Sequence, residues 1–431
     1  MTDSLSRRGF LGASGAGVLG TASAAELCAK PQAAEGSRKK MAIVTTVWRY
    51  LSHAQHMGDR FLVGYPMDGA WNRPKLDVVS LYVDQKPKED LSRARAKEFG
   101  CTLHPTIAQA LRRGGKTLAV DAVLIIGEHG NYKRNDIGQK MYPRYEFFTQ
   151  VADVFEKDGK SVPVFSDKHL SWKWDWAKRM VQRSRKLRFP FMAGSSLPVT
   201  WRMPSVDLPH GADVEEMVSL AMGGVDSYDF HALEVMQCMA ERRRGGETGV
   251  QWVQALRGDA FWKAMRAGSF PAGGWNAKLF EACLTRSHTL VQPRAGFNHR
   301  HPTPREIQTA ARDPVAYRIQ YRDGTRGTML LMNGVVRDFT FAATLKGESE
   351  PLSTLFYLPP TPNVQYSAIL MSNVEHMFLT GKTAYPVERT LLTSGMLEAS
   401  IQSLAKKGEK LATPHLAVKY GVGRQSTFCR R

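Results

Sequence analysis

Apolar runs and helical stripes alternate along the first half of the chain. Ala42–Val47, Asp77–Val83, Val120–Ile126 and Val162–Phe165 are short runs rich in aliphatic and β-branched residues, and they read as buried strands. Between them, His53–Val63, Lys88–Phe99, Thr106–Arg113 and Tyr145–Lys157 carry helical spacing, with stops at Gly100 and Asp158-Gly159. Strands alternating with helices predict a parallel sheet covered on both faces. The second half changes character. Ser196–Arg202 reads as an edge or first strand, and Gly223–Phe230 leads into a helix from about His231 to Arg242. Tyr317–Arg322, Thr328–Asn333, Val336–Thr344 and Leu355–Leu358 follow as strands, with turns at Asp323-Gly324 and Asn333-Gly334. Tight turns between consecutive strands predict an antiparallel meander, closed by a helix over Ser394–Lys407.

The ends of the chain change this picture little but bear on its location. Ser6-Arg7-Arg8-Gly9-Phe10-Leu11, a short Gly/Ala-rich stretch and small residues around Ala22–Ala25 have the order of a twin-arginine signal peptide over residues 1–25. A polar linker over 26–40 follows. The expectation is export by the twin-arginine machinery to the periplasm or the cell exterior. Some 400 residues remain, enough for two domains of ordinary size. Cys28, Cys101, Cys238, Cys283 and Cys429 form no C-x-x-C pair and are odd in number, which speaks against a disulfide framework or a zinc–thiolate site. Net charge is +19. For an exported protein that excess fits an anionic glycan or the cell envelope better than nucleic acid, and solubility alone would also explain it.

Several short motifs, in order, resemble the glucose–fructose oxidoreductase and inositol dehydrogenase family (Gfo/Idh/MocA). Ala96-Lys97-Glu98-Phe99-Gly100 is similar to its A-x-x-F-G after the second strand, and Asp121-Ala122-Val123-Leu124-Ile125 to its D-A-V-x-I strand. Ser166-Asp167-Lys168-His169 falls where the family has E-K-P, and Gly223-Gly224 with His231 and Glu234 resembles its GG…D-x-G-x-H-x-x-D. The resemblance spans about residues 41–415. It implies a Rossmann-like doubly wound parallel sheet domain over 41–195, an α+β domain with an antiparallel sheet over 196–415, and a tail over 416–431. It also implies NAD(P)-dependent chemistry on sugars or polyols, and an open sheet face of the kind that makes subunit contacts in homo-oligomers. Lys168 and His231 take the catalytic positions, with Asp167 beside them. The family's aspartate four before the histidine is Ser227 here, flanked by Asp226 and Asp229, and its proline is His169.

The turn after the first strand departs most. A dinucleotide fold places G-x-G-x-x-G there, because glycines let the backbone approach the pyrophosphate at a helix N-terminus. Residues 41–57 contain no glycine; they offer Thr46, Trp48 and Tyr50, then His53 and His56. Asp84, Gly127 and Glu128 remain candidates for holding a cofactor. In the doubly wound order the ends of the first, third and fourth strands meet at the ligand crevice. That brings His53, His56, Glu128, His129 and His169 into consideration as ligands of a divalent metal, which would polarise a carbonyl or activate water. Lone histidines are more often hydrogen-bonded structural residues. Three functions stay open: a sugar oxidoreductase with unusual NAD(P) binding, a metal-dependent carbohydrate lyase, hydrolase or epimerase, and a carbohydrate-binding protein without catalysis.

Three further segments are weaker. Trp172, Trp174 and Trp176 among Lys173, Lys178 and Arg179 read as a helix with buried tryptophans and a solvated basic face, the alternative being a sugar-stacking surface. Glu241–Glu247 reads as a solvated helix end closed by Gly245-Gly246, or as an anion-binding loop. His299 and His301 lie in an exposed Pro-rich connection.

Overall fold

Six parallel strands order the first half. In the computed structural model, which describes residues 38–292 and 300–430, they are β1 (Lys39–Thr45), β4 (Leu76–Val83), β5 (Thr102–His104), β6 (Ala122–Ile126), β7 (Val164–Asp167) and β8 (Phe191–Gly194), with a small hairpin of β2 (Tyr65–Met67) and β3 (Ala70–Asn72) between. The sheet order is β5-β4-β1-β6-β7-β8. Renumbered within this sheet it is 3-2-1-4-5-6, the doubly wound dinucleotide-fold order. All five residues of β6 are buried, since helices cover both faces and leave no polar side to the strand. Helices Ile107–Arg112, Arg144–Asp158 and Trp174–Lys186 pack on one face. The other face carries Ala54–Leu62 and helix Tyr366–Thr380, which returns from the C-terminal half to place Ile369, Leu370 and Val374 on Met41 and Ile43.

The second sheet has eight strands: β9 (Trp201–Met203), β10 (Val214–Ala221), β11 (Val250–Arg257), β12 (Arg312–Tyr321), β13 (Arg326–Asn333), β14 (Phe339–Leu345), β15 (Leu352–Tyr357) and β16 (Leu411–Ala412). Their order is β16-β11-β12-β13-β10-β14-β15-β9. The hairpin expected at Asp323-Gly324 is present, but the turn beyond Asn333 joins no hairpin, because β10 inserts between β13 and β14 and pairs parallel to β13. The sheet is therefore mixed, because the long connection after β10, including helix Asp229–Ala240, permits a crossover that a tight turn cannot make. Helices pack on both faces. Asp229–Ala240 and Glu388–Ala405 cover one, and Asp259–Ala267, Ala277–Arg286 and Pro304–Ala310 the other.

Other expectations shift in detail. The segment over His53–Val63 is a π-turn at Ala54–Gly58 running into a single α-turn at Asp59–Leu62. Glu241–Glu247 is not a solvated end: Arg389 pairs with Glu241, and Arg243 with Glu247 at 2.9 Å and Asp323 at 2.6 Å, all but Asp323 nearly fully buried. These charges are tolerated inside because each has a partner. The three tryptophans are half-buried rather than buried; Lys173 lies over Trp172 and Trp176, and Trp176 stacks on Tyr145 at 4.8 Å. Residues 1–37, with the twin-arginine segment, Cys28 and most of the linker, and His299 fall outside the described residues.

The turn after β1 closes on itself. Trp48 is fully buried and lies against Gly58, where an added Cβ would come within 2.7 Å of the indole. Gly58→Ala should therefore destabilise the fold by about 1–3 kcal/mol through overpacking. Trp48→Ala should cost about 3–5 kcal/mol through the cavity it leaves. Urea unfolding of both variants measures this directly.

Candidate functional site

The strand order reverses between β1 and β6, so the segments leaving their carboxyl ends diverge and open a crevice. Thr45 and Thr46 tie the two ends together: the Thr45 hydroxyl donates to the Ile126 carbonyl at 3.0 Å and the Thr46 hydroxyl to the Glu128 carbonyl at 2.6 Å. Side chains from this edge and from the second half line one cavity of about 160 Å³. His53 and His56 come from the turn after β1, Glu128 and His129 from the end of β6, Lys168 from the end of β7, and Ser195 and Ser196 from the end of β8. Ser227, Tyr228 and His231 enter from the start of helix Asp229–Ala240, and Tyr366 from the helix it opens.

Lys168 and His231, separated by 63 positions in sequence, thus meet in one cavity. The Lys168 ammonium lies 3.4 Å from Glu128 Oε1 and 3.5 Å from the Ser227 carbonyl, spanning the two halves. Its backbone has φ +63°, and His129 and Asp226 also adopt left-handed conformations at φ +68° and +61°. Three non-glycine residues in that region around one cavity mark a strained site held by its surroundings. Asp229 sets the approach of His231: its carboxylate, fully buried, accepts from the amides of Asp226, Ser227 and Phe230 and from the Tyr317 hydroxyl, each at 2.9 Å.

The electrostatics follow from burial. Glu128 would be raised by burial alone, but Lys168 and Arg144 outweigh that effect and hold it well below the usual carboxylate range. Arg144 is fully buried, contacts the Glu128 carboxylate and sits 3.0 Å from His169 Nε2. Gly127 makes room for it, since a Cβ there would stand 2.5 Å from Arg144 Cγ. Burial pushes His231 and His56 well below the ordinary imidazole value, so both are neutral at neutral pH. His53 Nδ1 lies 2.6 Å from Asp167 Oδ2. Buried His56 Nδ1, His129 Nε2 and His231 Nδ1 have no hydrogen-bond partner. Glu234, beneath the site, accepts from the Ser195 amide at 2.7 Å and is pushed up to about 7 by burial.

Of the candidates named from sequence, His53, His56, Glu128, His129, Lys168 and His231 share the cavity, and Asp167 stands directly behind His53. Asp84, Gly127 and His169 do not line it. His169 faces Arg144 and packs on Phe230 at 5.4 Å. Asp84 accepts from the hydroxyls of Tyr82 at 2.9 Å and Tyr132 at 2.6 Å. Tyr228, Tyr366 and Arg144 were not legible from sequence; each is a lone residue without a motif, and only the fold brings it to the site.

His129 is held down at about 4, by burial first and the neighbouring His53 second. A folded-state value below the ordinary 6.5 stabilises the fold above pH 6.5, and that contribution is lost as pH falls through about 4. At 1.36 kcal/mol per pKa unit, it is worth about 3 kcal/mol. His129→Gln should flatten the stability curve between about pH 6.5 and pH 4, read by urea unfolding across that range.

No protein-family model and no curated protein matches the chain by sequence. Solved structures do match. GenD2 from gentamicin A biosynthesis, in complex with NAD, aligns with TM-score 0.52 at 11% identity over 89% of this chain and 99% of its own. An oxidoreductase from Agrobacterium radiobacter in complex with NAD+, L-tartaric acid and magnesium aligns with TM-score 0.51 at 12% identity over 87% and 98%. Scyllo-inositol dehydrogenase from Lactobacillus casei gives TM-score 0.51 at 11% identity over 87% and 98%. The two-sheet architecture is thus the fold that these dehydrogenase and oxidoreductase structures share.

Proposed function

We propose that this chain is an enzyme acting on a sugar or polyol, in which Lys168 and His231 exchange a proton with a substrate hydroxyl or with a carbon that an adjacent carbonyl or carboxylate makes acidic. The observation that carries this reading is their meeting in one buried cavity from opposite halves of the chain. A neutral buried imidazole with a free ring nitrogen is competent to accept a proton, and the Lys168 amine beside Glu128 supplies a second proton-transfer group. Tyr228, 39% exposed at this cavity, and Tyr366 offer aromatic walls for the apolar face of a sugar ring. Glu128 stays ionised between its cations and accepts hydrogen bonds.

The turn after β1 does not fit a dinucleotide held in the usual way. The amides of Thr46, Arg49, Leu51, Ser52 and Gln55 all donate within the chain, to Ile126, Ser52, Gln55, Arg49 and Ser52 respectively. The Ser52 hydroxyl thereby stands where a pyrophosphate would accept from a helix N-terminus. Trp48 fills the space that glycines leave open. The amides of Asp84, Gln85 and Leu91 cover the same turn by donating to the carbonyls of Thr45, Thr46 and Trp48. Proton-transfer chemistry such as epimerisation or elimination is the form of the proposal that agrees with this geometry. The second reading is a sugar dehydrogenase that holds NAD(P) away from this turn; it is favoured by the architecture shared with the NAD-bound structures.

Wild-type protein incubated in D2O with a panel of aldoses, ketoses and uronic acids, without nicotinamide, should incorporate deuterium at the carbon next to the carbonyl or carboxylate or convert the substrate, as read by NMR. Lys168→Met and His231→Gln should each lower that rate by about 10²–10⁴-fold. Turnover only with added NAD(P) would select the dehydrogenase. No exchange and no turnover with either would sink the catalytic reading and leave a binding protein.

A further inference from the structure

We infer that His53, His56 and His129 form a binding site for a divalent transition metal at the inner end of this cavity. The inference deepens the catalytic reading of the same site, but it rests on separate observations. The His53 ring centroid lies 4.8 Å from that of His56 and 5.1 Å from that of His129. Two imidazoles on one tetrahedral metal, with metal–nitrogen bonds of about 2.0–2.1 Å, have centroids about 5 Å apart. Each ring also keeps a nitrogen for a ligand. His56 Nδ1 and His129 Nε2 are buried without a hydrogen-bond partner. His53 gives Nδ1 to Asp167, which leaves Nε2 for the metal.

The Asp167–His53 pair is the carboxylate–histidine arrangement that orients a ligating imidazole and raises its basicity. Asp167 is fully buried, so it serves His53 rather than solvent. His56 is itself more than nine-tenths buried while lining the cavity. Imidazole-only sets of this kind select zinc, cobalt, nickel or copper over magnesium or calcium. Three protein ligands leave a fourth position, which here opens on the cavity that holds Lys168 and His231. A metal there would polarise a substrate oxygen next to the two proton-transfer groups.

The structure also trims the set named from sequence. Glu128 is engaged by Arg144 and Lys168, and His169 faces Arg144, so the proposed set leaves both out. Among the described residues no group of three or more His, Cys, Asp or Glu is placed to hold a metal ion. Binding therefore requires side-chain rotation that brings His56 and His129 onto one metal with His53, whose ring centroid already lies 4.8 and 5.1 Å from theirs.

The test is titration of tag-free, chelator-treated protein with Co2+, followed by visible absorption and calorimetry. One equivalent should bind, with the d–d bands of a four- or five-coordinate nitrogen site. His56→Ala and His129→Ala should raise the Kd by about 100-fold or more, and Asp167→Asn by about 10–100-fold. His415→Gln, at Trp174 outside the cavity, should leave it unchanged. Circular dichroism melts establish that each variant is folded, and Asp167→Asn keeps the test alive if a histidine variant is not. Absence of stoichiometric Co2+ or Zn2+ binding to wild type, or its retention in both histidine variants, overturns the site. No metal bound, with activity still dependent on Lys168 and His231, removes the metal and keeps the proton-transfer reading. Metal bound at these histidines, with turnover indifferent to Lys168 and His231, does the reverse.

Discussion

The carboxylate of Glu128 lies buried between two cations, and the geometry of the site depends on that one arrangement. Arg144 reaches it from the start of the helix after β6, and Lys168 from the end of β7. A lone charge in such a place would cost several kcal/mol; removing one partner of a buried pair typically costs about 3–5 kcal/mol. The network therefore holds the ends of two neighbouring strands in fixed relation. Lys168 carries the constraint onward to the Ser227 carbonyl, and so to the loop that Asp229 ties down ahead of His231. Strained backbone at His129 and Lys168 is tolerated because these contacts over-determine it.

The architecture separates two properties that usually travel together in this fold. The strand order and its crevice are retained, since they follow from parallel pairing and helix crossovers that do not depend on the ligand. The turn after β1 has changed its chemistry. The Ser52 hydroxyl and the Gln55 side chain accept from amides of the turn, and the buried Trp48 fills the space that glycines would leave for a phosphate. The room at the crevice passes to imidazoles, whose burial keeps them neutral and leaves ring nitrogens without partners. Fold likeness at about one residue in nine identical thus shows shape, and the site has to be read from its own residues.

Much of the first half was legible from the order of apolar runs. β1, β4, β6 and β7 and the helices between them fall close to where spacing places them, because buried parallel strands are continuous apolar stretches with little ambiguity. Lys168 and His231 were legible through short motifs at the right spacing. The second half was less so. β10 and helix Tyr366–Thr380 carry no clean period, since they are buried on several sides and their amphipathic signal is weak. Glu241–Glu247 looked solvated because charge in sequence reads as surface; its pairing partners Asp323 and Arg389 lie about 80 and 150 positions away.

By itself the sequence determined the alternation of strand and helix, the glycine-free turn after β1 and the residue types able to carry proton transfer or bind a metal. These are local properties of neighbouring side chains. Only the tertiary structure decided which histidines meet. It grouped His53, His56 and His129, set Asp167 behind His53, and moved His169 to the side of Arg144. The reason is that strand ends converge at a sheet edge through pairings between distant segments, and a one-residue difference in where a strand stops turns a side chain from the cavity to the core.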